Sequence, residues 1–184
     1  MRAAWGRRNA LVLGAAAALG LAAGQARVPA RGGTGPPQTL PISARWCLDE
    51  PVAPVGSAPV GSAPVGSAGR RCIGLEVADD PQEQAWGLQM RPRLPALRGM
   101  WFPYAMPTPL RFWMHRTPEP LDIVFLREGR VIAIAAALPC PRLPCPSYGP
   151  EELADGVVEL AAGEAERLGI RVGSPARIEP IPPP

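Results

Sequence analysis

The chain contains no lysine; all 19 of its cationic residues are arginine. In a sequence so rich in Ala, Gly and Pro this reads as nucleotide-composition bias rather than chemistry. It has one histidine, His115, so no second imidazole exists to complete a zinc shell, and any Ser-His-Asp or Cys-His centre has to use that residue. No pair of cysteines is spaced C-x-x-C. No second acid stands close to Asp122 in its strand, which leaves a paired-carboxylate glycosidase without support. The one long apolar run, Ala10 to Gly24, is shorter than the about 20 residues a membrane helix needs.

That run, preceded by Arg2, Arg7 and Arg8 and followed by Gly24-Gln25-Ala26, has the layout of a secretory signal peptide covering residues 1–26. Asn9-Ala10 after the arginine pair do not suit twin-arginine export, and no lipobox cysteine follows, so ordinary secretion to the periplasm or medium is expected. Its removal takes away three arginines and brings the formal charge from +3 to about neutral. Nucleic acid is therefore not an expected partner, and the membrane enters only through the export signal.

Residues 27–71 are expected to be a flexible N-terminal region with one strand, at Thr39 to Cys47. It holds three copies of Pro-Val-Gly-Ser-Ala between Pro54 and Ala68, a period too short for a solenoid and without large apolar side chains for a core. The stretch 72–179 reads as a single β domain, and Pro180 to Pro184 as a disordered tail that cannot join a sheet. Within the domain, Cys72 to Val77 alternates as a strand. Asp80-Pro81-Gln82-Glu83 opens a helix running to about Met90 with Ala85 and Leu88 inward, and Arg98 to Phe102 begins another strand. Arg127 to Arg130 is a hairpin, expected as a type I turn with a left-handed bulge glycine. Val131 to Leu138 and Gly156 to Leu160 are strands, Gly163 to Leu168 is a short helix, and Pro175 to Ile178 closes the sheet.

The centre of the chain is Leu110 to Leu126. Alternation puts Leu110, Phe112 and Met114 on an apolar face and Arg111, Trp113 and His115 on a wetter one. Pro118 and Pro120 break the strand, and a second follows with Asp122 alone among aliphatic residues. A dry, unpaired carboxylate there costs several kcal/mol, so Asp122 needs a partner. Arg91, Arg98, Arg111, Arg116, the Trp113 indole and the Thr117 hydroxyl are the nearest donors in sequence. The candidate binding residues are Arg91, Arg111, Trp113, His115, Thr117 and Asp122. Each has a plainer reading: an exposed imidazole at a strand end, solvated arginines, and an acid that holds the fold together. Met90, Met100, Met106 and Met114 with His115 could bind Cu(I), but methionines among tryptophans are more often core packing.

Glu76-Val77-Ala78-Asp79, Trp86 to Arg91, Leu94-Pro95, Arg98-Gly99-Met100, Phe112-Trp113-Met114, Pro120 to Ile123, Pro139-Cys140, Pro144-Cys145-Pro146 and Arg167 to Gly173 together resemble the uncharacterised bacterial family known as domain of unknown function 192. The resemblance covers about Cys72 to Ile178. It implies a mainly β fold, a sandwich or jelly-roll-like barrel with one or two short helices, often exported, and brings no established activity. The family usually has Trp-Met-Lys-Asn-Thr where this chain has Trp113-Met114-His115-Arg116-Thr117.

The sequence thus points to a non-catalytic exported domain that binds a small ligand or envelope component in a groove near Trp113 and Asp122, with no cofactor. The alternatives are a hydrolase using Asp122 with an arginine, or a copper-handling protein. In an exported chain the four cysteines are most simply two disulfides rather than a thiolate metal site or a redox pair. Of the three pairings possible, Cys47–Cys72 across the repeats and Cys140–Cys145 within one proline-rich loop are expected. A thiol assay on unreduced, denatured protein should find none free, and four would contradict the assignment.

Overall fold

The computed structural model describes residues 37–48 and 71–182. The expected signal segment and the Pro-Val-Gly-Ser-Ala repeats lie outside the described residues. Both expected disulfides, Cys47–Cys72 and Cys140–Cys145, are formed.

The chain runs β1 (Ile42–Leu48), β2 (Arg71–Val77), α1 (Pro81–Trp86), β3 (Arg98–Thr108), β4 (Phe112–Trp113), β5 (Leu121–Arg127), β6 (Arg130–Ala137), β7 (Ser147–Tyr148), β8 (Ala154–Ala161), α2 (Glu164–Arg167) and β9 (Ile178–Pro180). Seven strands form one mixed sheet in the order β6-β5-β8-β3-β2-β1-β9, and β4 pairs with β7 in a separate two-stranded ribbon. The β2–β3 pairing is parallel and every other pairing in the large sheet is antiparallel. The fold is mainly β with two short helices, and the large sheet stays open, so the sandwich-like reading holds and closure into a barrel does not.

The sheet is buried on both faces. One face carries Met100, Phe102, Leu121, Ile123, Phe125 and Val157 beneath the β4–β7 ribbon and the segment around Leu88 and Leu94. The other carries Trp46, Ile73, Leu75, Val124, Val158 and Leu160 beneath α2, Ile170 and Ala176. This explains why β5 is buried along nearly its whole length and shows no polar alternation.

Several local expectations need correction. The helix α1 ends at Trp86 rather than near Met90, because Gly87 takes φ 50° and turns its amide back to the Glu83 carbonyl. Ala85 is consequently exposed. Its start is as expected: Asp80 accepts from the Gln82 and Glu83 amides at 2.7 and 2.8 Å. The β5–β6 turn has positive φ at both Glu128 and Gly129, which is a two-residue type I′ turn instead of type I with a bulge. That turn matches strand twist best, and Asp155 pins it by accepting from the Glu128 amide at 2.8 Å. At the C-terminus the sheet includes Pro180, which pairs with Ala44, and the Ile181 amide bonds Ser43. Proline can sit there because β9 is an edge strand. The N-terminal strand β1 lies inside the sheet, between β2 and β9, so the folded unit begins well before Cys72.

Asp122 is buried, as expected of an acid on that strand, but its partner is none of the donors predicted from sequence. Its Oδ2 accepts from the Ala165 amide in the first turn of α2 at 2.9 Å. Short as it is, α2 cannot hold itself together in water; this bond and the burial of Ala165 and Leu168 fix it to the sheet. Asp122→Ala leaves that amide buried without an acceptor and should lower unfolding free energy by about 1–3 kcal/mol in urea titrations. Unchanged stability would contradict the role.

Candidate functional site

The structure separates the residues grouped by sequence. Along β5, Leu121, Ile123 and Phe125 belong to the core under the β4–β7 ribbon, whereas Val124 and Leu126 belong to the α2 side. Asp122 shares the second face with its α2 partner. Trp113 and His115, on and after β4, lie with the ribbon on the first face. Asp122 and Trp113 therefore do not share a groove.

Arg91 is also structural. Its guanidinium meets Glu76 through two contacts of 2.9 Å and donates to the Gln38 carbonyl, and Glu76 in turn accepts from the Leu40 amide at 2.8 Å. With both side chains largely buried, the pair clamps the residues before β1 to the segment after α1. Arg111 bonds the carbonyls of Leu110 and Pro150 and staples the β7 loop to β4. Any side chain at Gly149 would collide with the Leu110 carbonyl and the Arg111 guanidinium.

What remains together is Trp113, His115, Thr117 and the Cys140–Cys145 loop. The ribbon is anchored by Phe112, which packs edge-on to Phe102 and Phe125 with ring centroids 5.1 and 6.1 Å away. Met114 is fully buried, and its carbonyl accepts from the Cys140 and Thr117 amides. With its apolar side so held, the strand turns Trp113 and His115 the other way. Their rings lie 5.4 Å apart and tilted by 45°. His115 bridges to Cys140 in the backbone, and its Nδ1 stands 3.8 Å from Cys145 Sγ.

Next to this cluster is a cavity of about 440 Å³ lined by Met90, Arg116, Thr117, Pro118, Pro139, Cys140 and Pro141. Three chain segments form it, tied by a 2.8 Å bond from the Met90 amide to the Arg116 carbonyl. Its wall is almost wholly apolar, and Met90 lies half exposed at its edge. A larger cavity of about 750 Å³ lies beside α2; it is lined by the Arg167 to Gly173 run and by none of the candidate binding residues. Arg167 in that cavity pairs with Glu164, whose carboxyl is held below its usual range chiefly by the Arg167 hydrogen bond.

Of the methionines, Met100 and Met114 are core residues with no exposed surface, while Met106 is exposed. Among the described residues no cluster of His, Cys, Asp and Glu is arranged to hold a metal.

Sequence reasoning missed Glu159. It sits in β8 between Met100 of β3 and Ile123 of β5, fully buried, with Oε2 lacking any partner among the described residues. Burial pushes its carboxyl from the ordinary 4.5 up to about 8, and Tyr104, itself raised mainly by burial, feels its charge. The signal was present in Val157-Val158-Glu159-Leu160, a lone acid among aliphatics, as in the case of Asp122. Glu159 lines neither of the two cavities described above.

A family model described as "Uncharacterized ACR", DUF192, matches residues 64–178. A solved structure of a protein of unknown function from Novosphingobium aromaticivorans DSM 12444 is 29% identical, with a TM-score of 0.56, covering 79% of this chain and 94% of that one. Another, described as a candidate transcription regulator from Sinorhizobium meliloti 1021, is 24% identical with a TM-score of 0.58, over 78% of this chain and 96% of that one. At that identity it shows the fold alone. No curated protein matches the chain.

Because the folded carboxyl of Glu159 titrates above its unfolded value, the folded state holds a proton that the unfolded chain has lost between pH 4.5 and about 8. Its stabilising share is complete below pH 4.5 and is lost as pH rises through about 8. Glu159→Gln should therefore match wild type in acid and exceed it by a few kcal/mol in urea titrations above pH 8. A gap that does not grow with pH would contradict the burial of a neutral acid.

Proposed function

The chain belongs to the DUF192 family, and on that premise we infer that it is an exported, non-catalytic β domain that binds a small, mostly apolar ligand, or an envelope component presenting one. The site is the groove between Met90, Thr117 and the Pro139–Pro141 loop, beside Trp113 and His115. The observation that carries this reading is the cavity itself. At about 440 Å³ it falls within the size range of small-molecule sites, with an apolar wall and few polar groups. Its three prolines restrict backbone motion, so the shape exists before a ligand arrives. Arg116 and Thr117, the polar residues of the lining, supply the contacts that orient a ligand.

Export is supported by the two disulfides, which persist in oxidising compartments, together with the basic start and apolar run of the N-terminus. Among the described residues no helix is long and apolar enough to cross a membrane. A hydrolase built on Asp122 is disfavoured by the engagement of that carboxyl with α2. Copper binding is disfavoured by the burial of Met100 and Met114 in the core.

Thermal-shift titrations with a panel of medium-chain fatty acids, aromatic acids and sugars should raise the Tm of wild type by a few degrees with an apolar member. Met90→Glu, which puts a charge on the groove wall, should abolish the shift while leaving the ligand-free Tm near wild type. A panel without effect, or equal shifts in the variant, would count against the groove.

A further inference from the structure

We propose that the Cys140–Cys145 disulfide is a thiol–disulfide exchange site assisted by His115, with a small thiol or a peptide cysteine as its partner. The two disulfides differ in their surroundings. Cys47 and Cys72 face each other across the β1–β2 pairing, next to the fully buried Trp46 and Ile73. All four cysteines are partly accessible, but Cys140 and Cys145 stand outside the large sheet, in a loop where Pro141 to Pro144 are all exposed.

Three features around the second bridge serve exchange. The His115 imidazole is 3.8 Å from Cys145 Sγ, close enough to stabilise negative charge on that sulfur or to give it a proton. The Arg142 carbonyl oxygen is 3.2 Å from Cys140 Sγ, and the Cys140 carbonyl oxygen is 3.5 Å from Cys145 Sγ, so each sulfur has an acceptor waiting once it becomes a thiol. Cys140 also lines the apolar groove, whereas Cys145 does not. The geometry thus divides the roles: Cys140 is the sulfur attacked and Cys145 the one that leaves.

In the first step a thiol gives its proton to water and its thiolate attacks Cys140 Sγ. A bond forms between that sulfur and Cys140, the Cys140–Cys145 bond breaks, and the electron pair departs on Cys145, which His115 steadies until it is protonated. In the second step another thiolate attacks the partner's sulfur in the mixed disulfide. The product is the partner's disulfide, and Cys140 leaves as a thiolate and is protonated. Two thiols are oxidised by two electrons, and one disulfide becomes two thiols. The exchange stands apart from the ligand reading of the groove, because glutathione can react at Cys140 whether or not the groove binds an apolar molecule.

The test is a reduced-glutathione titration of the full chain, with acid quenching, alkylation and peptide mass mapping. Cys140–Cys145 should open at least roughly tenfold faster than Cys47–Cys72 in the same molecules, with early glutathione adducts on Cys140. His115→Ala should slow that opening about tenfold, and His115→Lys, which places an ammonium group beside Cys145, should recover much of the rate. The Cys47–Cys72 rate in each variant reports whether the fold is intact. Equal opening of the two disulfides, adducts chiefly on Cys145, or an unchanged rate in His115→Ala with Cys47–Cys72 still closed would overturn the proposal.

Discussion

A carboxyl group cannot remain charged and solitary inside a sheet, and much of this structure consists of the ways that constraint is met. Desolvating an unpaired carboxylate costs more than a domain of this size can spare. Glu76, Asp122 and Glu159 all lie buried in strands of the large sheet. Glu76 is answered by the Arg91 guanidinium and the Leu40 amide, so the entry to β1 and the exit from α1 are clamped together. Asp122 is answered by a helix amide, which gives α2 its seat on the opposite face. Glu159 Oε2 has no hydrogen-bond partner among the described residues, and burial pushes its carboxyl up to about 8.

Among the described residues, these solutions leave one face of the ribbon partly exposed. Phe112 and Met114 commit the apolar side of the central stretch to the core, and Arg111 locks the β7 loop against it. Trp113, His115 and the Cys140–Cys145 loop are then carried at the surface on a rigid base, next to a proline-walled cavity. A site so held can bind or exchange without large rearrangement, as prearranged groups lose little entropy on engaging a partner. A sheet of this kind does not by itself specify a function.

Much of the fold was legible in the chain. Alternation gave the faces of Leu110 to Met114 correctly, Asp80-Pro81 marked the start of α1, and the cysteine spacing gave both disulfide pairs. The resemblance carried by Trp86 to Arg91 and Pro120 to Ile123 pointed to the right family. The site was legible only in part, and the reason is long-range geometry. Asp122 and Trp113 are near in sequence, but Trp113 belongs to the ribbon over one face of the large sheet and Asp122 is turned to the other, and burial on both faces erased the pattern that would have shown which side was wet. The partner of Asp122 is a backbone amide 43 residues away, which composition cannot reveal. Glu159 escaped notice because a single acid in a valine-rich strand looks like an ordinary edge residue until β3 and β5 are found on either side of it.

The central claim is that one core acid carries its proton at neutral pH because burial raises its carboxyl and its Oε2 has no partner among the described residues. Infrared difference spectroscopy, wild type minus Glu159→Gln with the glutamate carboxyls isotopically labelled, reads that protonation directly. At pH 7 a protonated carboxyl C=O band that shifts with the label should be present in wild type and missing from the variant. A spectrum containing only carboxylate bands at that pH would contradict it.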